Sequence, residues 1–346
     1  MKVTIRDMAN ELGLSPSTIS RALKNDRRIS EKVRHEVRAL AKEMGYRPNL
    51  LARGLRSDRS HCIGLIINDL AWSFFSELGQ HIQNAAEKSG YTIFLYSSCD
   101  SAEKEKLGIE RMVALRNDGL IVYANESSSN IHVLEHLVQD DVPVVLLNNM
   151  KGTDLDIITV DDLRGTHLAM RYLFDLGHHR IAYIGPTPRK SVEKMRIEGY
   201  EQAYKERAGA VDRNLIFTGQ AQPLLGYYAA KEIIELSPRP TAIVAYNDNM
   251  AMGVIRAVLE AGLTVPGDIS VIGFDGLELG PSVYPPLTTV SAPIKQIANM
   301  AVEILLDRID AVIGGRESDF APQHIELSPQ LVLRASADRP RIDQTG

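Results

Sequence analysis

The hydrophobic pattern of this 346-residue chain changes at about residue 62, and this change constrains the fold more than any other feature. Before it, only helical periods occur. After it, short apolar runs alternate with amphipathic stretches of about ten or more residues, as in βαβ units around a parallel sheet. The predicted strands cover residues 62–67, 92–96, 119–123, 142–147, 181–184, 241–245 and 270–274. Their order predicts two doubly wound lobes, the first ending near residue 161, and an amphipathic helix over 294–313.

The residues before this change predict two short helices joined by a tight turn. Thr4 and Asp7 resemble a capping box, and apolar residues follow at i, i+3, i+4 and i+7 before Gly13. Ser15 is suited to cap a second helix, with Pro16 at the first helical position. This spacing predicts a helix-turn-helix, completed by a third helix that begins at residue 30 and stops at residue 45.

Charge is distributed unequally along the chain. Residues 1–60 carry 14 Lys and Arg against 7 Asp and Glu, a net charge of +7, whereas the remainder carries −12. A basic module on an acidic body is expected when one end approaches a polyanion and the rest must stay off it. The distribution therefore favours nucleic acid as a partner of the first 60 residues.

The outward face of the predicted second helix carries Pro16, Ser17, Ser20 and Arg21. In a helix-turn-helix this helix enters the major groove, where Arg21 is suited to a bidentate contact with guanine O6 and N7. The alternative is an ordinary helical hairpin in which Arg21 is only a solvated charge.

The segment over residues 46–57 follows the third helix. Asn49 is suited to cap about two helical turns, but a helix this short with an internal Gly54 is marginal in water. We therefore expect it to fold only when another molecule or subunit supports it.

At this point the sequence resembles the lactose and galactose repressor family. The matching motifs are VTIRDMA over 3–9, SPSTISRAL over 15–23, GYRPN over 45–49 and ARGL over 52–55. The resemblance implies that hinge helices of two subunits pair in the DNA minor groove, where Leu55 wedges open a central step, usually CG. The alternative for Leu55 is a linker residue packed on the sensor domain. The residues expected to contact DNA are Thr4, Ser15, Pro16, Ser17, Thr18, Ser20, Arg21, Asn25, Tyr46, Asn49, Ala52, Leu55 and Arg56.

The resemblance continues to about residue 335, through IGLI over 63–66, DGLI over 118–121, GHHRIAYIG over 177–185 and IGFD over 272–275. It implies an all-α helix-turn-helix head and an α/β sensor domain of the two-lobed, type I periplasmic-binding-protein-like fold. The implied boundaries are 1–46 for the head, 47–60 for the hinge, 61–340 for an effector-binding and dimerisation domain, and 341–346 for a tail. The first lobe would cover about 61–161 plus 293–325, and the second about 162–292 plus 326–340.

The family's ligand lies in the cleft between the lobes, beyond the carboxyl ends of the strands. By motif, Arg196 and Asp275 would hold the ligand through hydrogen bonds, Asn247 would add amide contacts, and Phe74 and Phe75 would cover an apolar face. A pocket of this kind suits a hydroxylated ring such as a sugar. The alternatives are a structural salt bridge between Arg196 and Asp275 across the cleft, and core packing of the two phenylalanines. The expected effector-binding residues are Asn68, Phe74, Phe75, Asn148, Arg196, Asn247, Asp248 and Asp275.

Some positions depart from the family pattern. Pro16 stands where many members present a base-reading side chain. Asn149 and Ala221 stand where purine-binding members place aromatic rings, which argues against a nucleobase. Ala292 and Ile294 replace polar or aromatic pocket residues of the lactose type. The particular sugar is therefore not defined by these positions.

We expect a homodimeric, cytoplasmic repressor of carbohydrate-metabolism genes that binds a pseudo-palindromic operator and responds to a small-molecule effector. The chain shows neither an export signal nor a membrane span, no apolar heptads near residue 346, and two cysteines, Cys62 and Cys99, which we expect to be reduced thiols. It carries no phosphate-binding glycine loop, nucleophile elbow or His-Glu metal motif, so we expect neither catalysis nor a cofactor. The alternatives are control by a phosphoprotein corepressor, and a sugar-binding protein that does not bind DNA.

Overall fold

The structure, a computed structural model, describes residues 3–23, 25–46, 59–126, 130–150, 152–222, 224–316 and 321–341. Contacts between residues divide the chain into two compact units, Met1–Ser60 and His61–Gly346. Within the described residues, no helix is long and apolar enough to cross a membrane.

The first unit contains helices α1 (Ile5–Leu12), α2 (Pro16–Leu23) and α3 (Glu31–Glu43). Thr4 caps α1 in a reciprocal capping box, in which the backbone N–H of Thr4 donates to Asp7 Oδ2 at 2.8 Å. Gly13 ends the helix with a φ of 62°, a left-handed conformation that glycine adopts without a steric penalty. The three predicted helices and their caps are confirmed.

A small core holds this unit together. Its buried members are Met8, Ala9, Ile19, Ala22 and Val37, which come from all three helices. Small side chains at Ala9 and Ala22 allow the helices to approach closely, and the apolar stripe predicted from the sequence faces this core.

The second unit contains two α/β lobes. The first lobe has strands β1 (Cys62–Ile67), β2 (Thr92–Ser97), β3 (Gly119–Val122), β4 (Val144–Leu146), β5 (Asp156–Val160) and β11 (His324–Leu327) in a parallel sheet ordered β11-β5-β4-β3-β1-β2. Its helices are α4 (Ser73–Lys88), α5 (Ala102–Ala114), α6 (Ile131–Gln139) and α11 (Ile294–Ile313). Apolar residues from both faces of the sheet form two cores beneath these helices.

The second lobe repeats this architecture. Its strands are β6 (Ile181–Pro186), β7 (Ile216–Gly219), β8 (Ala242–Ala245), β9 (Ser270–Asp275), β10 (Thr288–Ser291) and β12 (Gln330–Val332), ordered β12-β10-β9-β8-β6-β7, with β12 antiparallel to β10. Its helices are α7 (Asp162–Asp175), α8 (Ser191–Ala208), α9 (Leu225–Ile234) and α10 (Asp248–Glu260). The chain crosses between the lobes after β5, after β10 and between β11 and β12.

The sequence missed the strands whose composition is not apolar. β10 reads TTVS, and its Thr288 and Thr289 are fully buried because their hydroxyl groups bond within the lobe. β7, β11 and β12 are short and partly exposed, so they lack the continuous apolar run of a buried parallel strand. β5 was missed as well, although it carries two buried isoleucines.

Candidate DNA-binding helix and ligand cleft

The start of α2 is organised by hydroxyl groups. Ser15 Oγ accepts from the backbone N–H of Thr18 at 3.1 Å, as an N-cap does, and lies 2.7 Å from Ser17 Oγ and 2.9 Å from Thr18 Oγ1. Pro16, Ser17 and Arg21 are exposed, whereas Thr18 and Ser20 are half-buried. The exposed N-terminal face of α2 thus presents Ser17 and Arg21 as polar groups that remain accessible to a partner.

Other residues predicted to contact DNA also serve the fold of this unit. Asn25 has a φ of 63°, and its side-chain oxygen accepts from Arg34 Nη1 at 3.4 Å and from Arg38 Nη2. Thr4 is engaged in the cap of α1, and Tyr46 is half-buried against the helical core. The remaining predicted contacts, Asn49, Ala52, Leu55 and Arg56, lie outside the described residues.

A cavity of about 760 Å³ lies between the two lobes. Its walls are built from residues that follow the carboxyl ends of strands, as expected for open α/β sheets. The predicted effector-binding residues that line it are Asn68, Phe74, Phe75, Asn148, Arg196, Asn247 and Asp275. The volume falls within the usual range for small-molecule sites.

Arg196 forms the centre of the cavity wall on the second lobe. Its Nε donates to Asp162 Oδ1 at 2.8 Å, Nη1 donates to the backbone oxygen of Tyr246, and Nη2 lies 3.5 Å from Asp275 Oδ1. The guanidinium carbon lies 3.6 Å from the centre of the Phe274 ring. Arg196, Asp162 and Asp275, here called the Arg196 cluster, therefore form an ion pair network within one lobe and not across the cleft.

The Arg196 cluster is almost shielded from solvent, with 8%, 13% and 7% of the side chains of Arg196, Asp162 and Asp275 exposed. Burial raises the pKa of both carboxyl groups, against the attraction of the guanidinium. Burial alone would lower the pKa of Arg196, but the two carboxylates more than offset it and raise the pKa. Arg196 therefore stays charged.

Asp275 also has an unusual backbone, with a φ of 111°. Such a conformation costs roughly 1–3 kcal/mol for a residue with a side chain, and it persists where the surroundings impose it. It places the carboxylate beside Arg196 at the end of β9.

The three asparagines predicted to bind the effector differ in their free hydrogen-bonding capacity. Asn148 pairs with the backbone of Ala124 through both its oxygen and its nitrogen, at 2.8 and 2.9 Å. Asn247 caps α10 by accepting from the N–H of Met250 at 2.9 Å. Asn68 Oδ1 is buried without a hydrogen-bond partner among the described residues, so it is available to a ligand.

Asp248 does not line the cavity, contrary to expectation. Its carboxylate is fully buried, accepts from Thr289 Oγ1 at 2.5 Å and from the backbone N–H of Leu277 at 2.8 Å, and burial raises its pKa to about 6. Because α10 begins at Asp248, the chain turns its side chain toward β10 and away from the cleft. We assign Asp248 a structural role.

Aromatic rings cover the first-lobe wall of the cavity. Phe75 is 5.3 Å from Phe74 and 4.8 Å from Tyr123 between ring centres, both pairs edge-to-face. Trp72, the single tryptophan of the chain, also lines the cavity and packs against apolar cores of both lobes. Trp72 and Asp162 were not predicted from the sequence; Trp72 stands two residues before Phe74, whereas Asp162 follows the overlooked strand β5.

Polar contacts join the two lobes at the cavity rim. Ser191 donates its backbone N–H and its hydroxyl to Glu126 Oε2, each at 2.7 Å, so a first-lobe carboxylate meets the N-terminus of α8. Lys190 Nζ lies 2.5 Å from Asp100 Oδ1. These contacts hold the two walls together around the cavity.

Comparisons with known proteins agree with this geometry. Sequence profiles described as "Bacterial regulatory proteins, lacI family" and "Periplasmic binding protein-like domain" match residues 4–49 and 170–337. The HTH-type transcriptional repressor PurR of Proteus mirabilis (strain HI4320) is 34% identical over 344 residues, 98% of each chain. A crystal structure of a lac repressor dimer bound to operator and the anti-inducer ONPF is 27% identical, with a TM-score of 0.81 over 98% of this chain and 100% of that one. A LacI family regulator from Enterococcus faecium with bound ribose is 27% identical, with a TM-score of 0.69 over 80% of this chain and 99% of that one.

A helix-turn-helix unit and a two-lobed periplasmic-binding-protein-like unit in one chain define a DNA-binding transcription regulator and not an enzyme. The similarity to PurR repressors extends over almost the whole length of both chains. The chain belongs to the LacI family of bacterial transcription regulators. The predicted fold class and family are confirmed, and the effector stays a prediction.

Proposed function

We propose that the protein is a homodimeric repressor that binds a pseudo-palindromic operator with a central CG step. Family membership and the capped, exposed α2 support this proposal, as does the similarity to a lac repressor dimer bound to operator. Two identical heads related by a two-fold axis read inverted half-sites. Such a regulator acts on DNA in the cytoplasm. Sedimentation of the full chain at micromolar concentration tests the dimer, and a monomer would contradict it.

Arg21 reads a base pair in each half-site under this proposal, because it is exposed on α2 beside Ser17. Arg21→Ala is expected to reduce preference at one base pair by about 1–3 kcal/mol. Anisotropy on a set of operators with single substitutions, at fixed salt, measures this. An unchanged ranking of these operators would contradict the assignment of α2 as the recognition helix.

Leu55 wedges the central base step open in this proposal, on the strength of the sequence alone. Leu55→Ala is expected to weaken specific operator binding while leaving effector affinity unchanged. The same anisotropy assay, with effector binding measured in parallel, tests this. Operator affinity equal to that of the parent would exclude the wedge.

The effector is an uncharged, hydroxylated molecule, most simply a sugar, and the cavity of about 760 Å³ carries this part of the proposal. It combines aromatic surfaces at Trp72 and Phe74 with amides and carboxylates at Asn68, Asp162 and Asp275. A sugar ring offers apolar C–H faces to the first group and hydroxyl donors to the second. Binding would change how the lobes close, and thereby whether the two hinge segments pair on DNA.

A nucleobase fits these walls less well. Asn149 and Ala221 line the cavity at the two positions where purine-binding members of the family carry aromatic rings. Neither of these two positions supplies an aromatic ring on which a nucleobase could stack.

Titration calorimetry identifies the effector class. The panel contains ribose, glucose, galactose, maltose and cellobiose, together with hypoxanthine and guanine, and each compound is tested on the wild type and on Arg196→Ala. The proposal requires that a sugar bind the wild type, change operator affinity, and lose its effect in Arg196→Ala. Binding of a purine base instead would refute the sugar effector.

Two alternatives lead to different outcomes of the same assays. A regulator controlled by a phosphoprotein corepressor would bind operator but none of the small molecules. A sugar-binding protein that does not bind DNA would bind a sugar but show only weak, salt-sensitive DNA affinity without sequence preference.

A further inference from the structure

The Arg196 cluster holds more negative than positive formal charge. One guanidinium meets two carboxylates, at 2.8 Å from Asp162 and 3.5 Å from Asp275. An arginine in a cleft is commonly the group that grips a phosphate or carboxylate. Here its charge is already balanced by its own lobe, so it does not present a net positive site to an anion.

The rest of the cavity lining also carries an excess of negative formal charge. Among the described lining residues outside the cluster, four are acidic and two are basic: Asp69, Asp100, Glu126 and Glu193 against Arg189 and Lys190. Lys190 is paired with Asp100 at the rim, and the side chain of Arg189 is exposed. An anionic ligand would therefore have to displace or approach carboxylates to reach the interior.

The cavity also offers hydrogen-bond acceptors with free capacity. Asn68 Oδ1 is buried and has no partner among the described residues. Each carboxylate oxygen accepts up to two hydrogen bonds, so Asp162 and Asp275 keep acceptor capacity beyond their contacts with Arg196. A ligand that supplies hydroxyl donors satisfies these oxygens, whereas a phosphate at neutral pH mainly adds further acceptors.

We propose that Asp162 determines the charge class of the effector. Together with Asp275 it gives the cluster more negative than positive formal charge, so the cleft accepts an unphosphorylated ligand rich in hydrogen-bond donors and rejects the phosphate ester of the same ligand. This deepens, and rests on, the proposed effector site. Asp162 acts by setting the charge that Arg196 and Asp275 present, and it lines the cavity itself.

The test compares the wild type with Asp162→Asn. The amide keeps an oxygen for Arg196 Nε and nearly the same volume, but removes one negative charge. The probes are inorganic phosphate and the pairs glucose with glucose 6-phosphate and ribose with ribose 5-phosphate, at constant ionic strength. Trp72 fluorescence is the readout, because this single tryptophan lines the cleft and belongs to the second unit.

Asp212→Asn is the control, since it removes a carboxylate of the same lobe that pairs with Arg180 and does not line the cavity. We expect the affinity for phosphate and for the phosphate esters to rise by at least about tenfold in Asp162→Asn and to stay unchanged in Asp212→Asn. If Asp162→Asn does not fold, Asp275→Asn removes the same formal charge from the cluster.

Wild-type binding of a sugar phosphate as tightly as the free sugar would overturn the proposal. So would an Asp162→Asn variant that gains no phosphate affinity, or an equal gain in Asp212→Asn. If no free sugar binds the wild type, the proposal of a sugar effector is wrong. The comparison of phosphate affinity between the wild type and Asp162→Asn still tests whether Asp162 excludes phosphate from the cleft.

Discussion

Replacing Arg196 with methionine should destabilise the second unit and make its stability fall as pH rises. The guanidinium lies between the carboxylates of Asp162 and Asp275 and against the ring of Phe274, and only 8% of the side chain is exposed. Methionine retains much of the packing against the ring. The loss of stability therefore comes from two buried carboxyl groups that have no counter-charge.

Removing one partner from a buried ion pair network typically costs about 3–5 kcal/mol, because the remaining charge stays desolvated. In Arg196→Met the carboxyl groups are expected to hold protons to a higher pH than in the wild type, since burial already raises the pKa of both. The folded variant then binds more protons than its unfolded chain. The free energy of unfolding decreases with pH by up to about 1.4 kcal/mol per unit for each such group.

Urea unfolding followed by the fluorescence of Trp72 measures this, because the only tryptophan lies in the second unit and does not report the helical head. The free energy of unfolding of Arg196→Met should fall furthest below that of the wild type at pH 8, and the difference should be smaller at pH 5.5. In Arg196→Met combined with Asp162→Asn and Asp275→Asn, most of the stability should return and the added pH dependence should vanish.

A deficit that is the same at both pH values would refute this reasoning. So would a triple variant as unstable as Arg196→Met, since the cause would then be lost packing and not uncompensated charge.

Three further predictions follow from local geometry. Gly199→Ala should lower the free energy of unfolding in urea by about 1–3 kcal/mol, because its methyl group would lie 2.2 Å from Leu163 O where α7 and α8 pack. The control is Gly79→Ala, whose methyl group would have its nearest contact at 3.5 Å and which should be neutral or stabilising in the same assay. Burial lowers the pKa of His178, so its contribution to stability is fully present above pH 6.5 and is lost as pH falls below that value. His178→Asn should therefore flatten the acid side of the plot of unfolding free energy against pH, and an unchanged plot would show that His178 does not cause the acid loss of stability. Ser15→Ala should destabilise the head by about 1 kcal/mol, seen as faster hydrogen exchange in α2, whereas exchange at the wild-type rate would show that the cap contributes little.

The structure removes one residue that the sequence placed in the effector site, Asp248, and adds one that the sequence did not indicate, Asp162. Asp248 follows a strand, as cleft residues do, but it is the first residue of α10 and bonds to Thr289 and Leu277. Asp162 begins the helix after β5, a strand that the sequence pattern does not predict, so the sequence does not indicate its place at the cavity. A motif can indicate the end of a strand, but it does not show on which side of the following helix a carboxylate will lie.

The sequence by itself determined the head and the general plan of the two lobes. Caps such as Thr4 and Ser15 act on backbone groups three residues away, and buried parallel strands are recognised by their own apolar run, so both are local properties that a single chain displays. The Arg196 cluster was decided by the tertiary structure. Its three members are separated by 34 and 79 positions along the chain, and the balance of their charges exists only where β9, α7 and α8 bring them together and bury them.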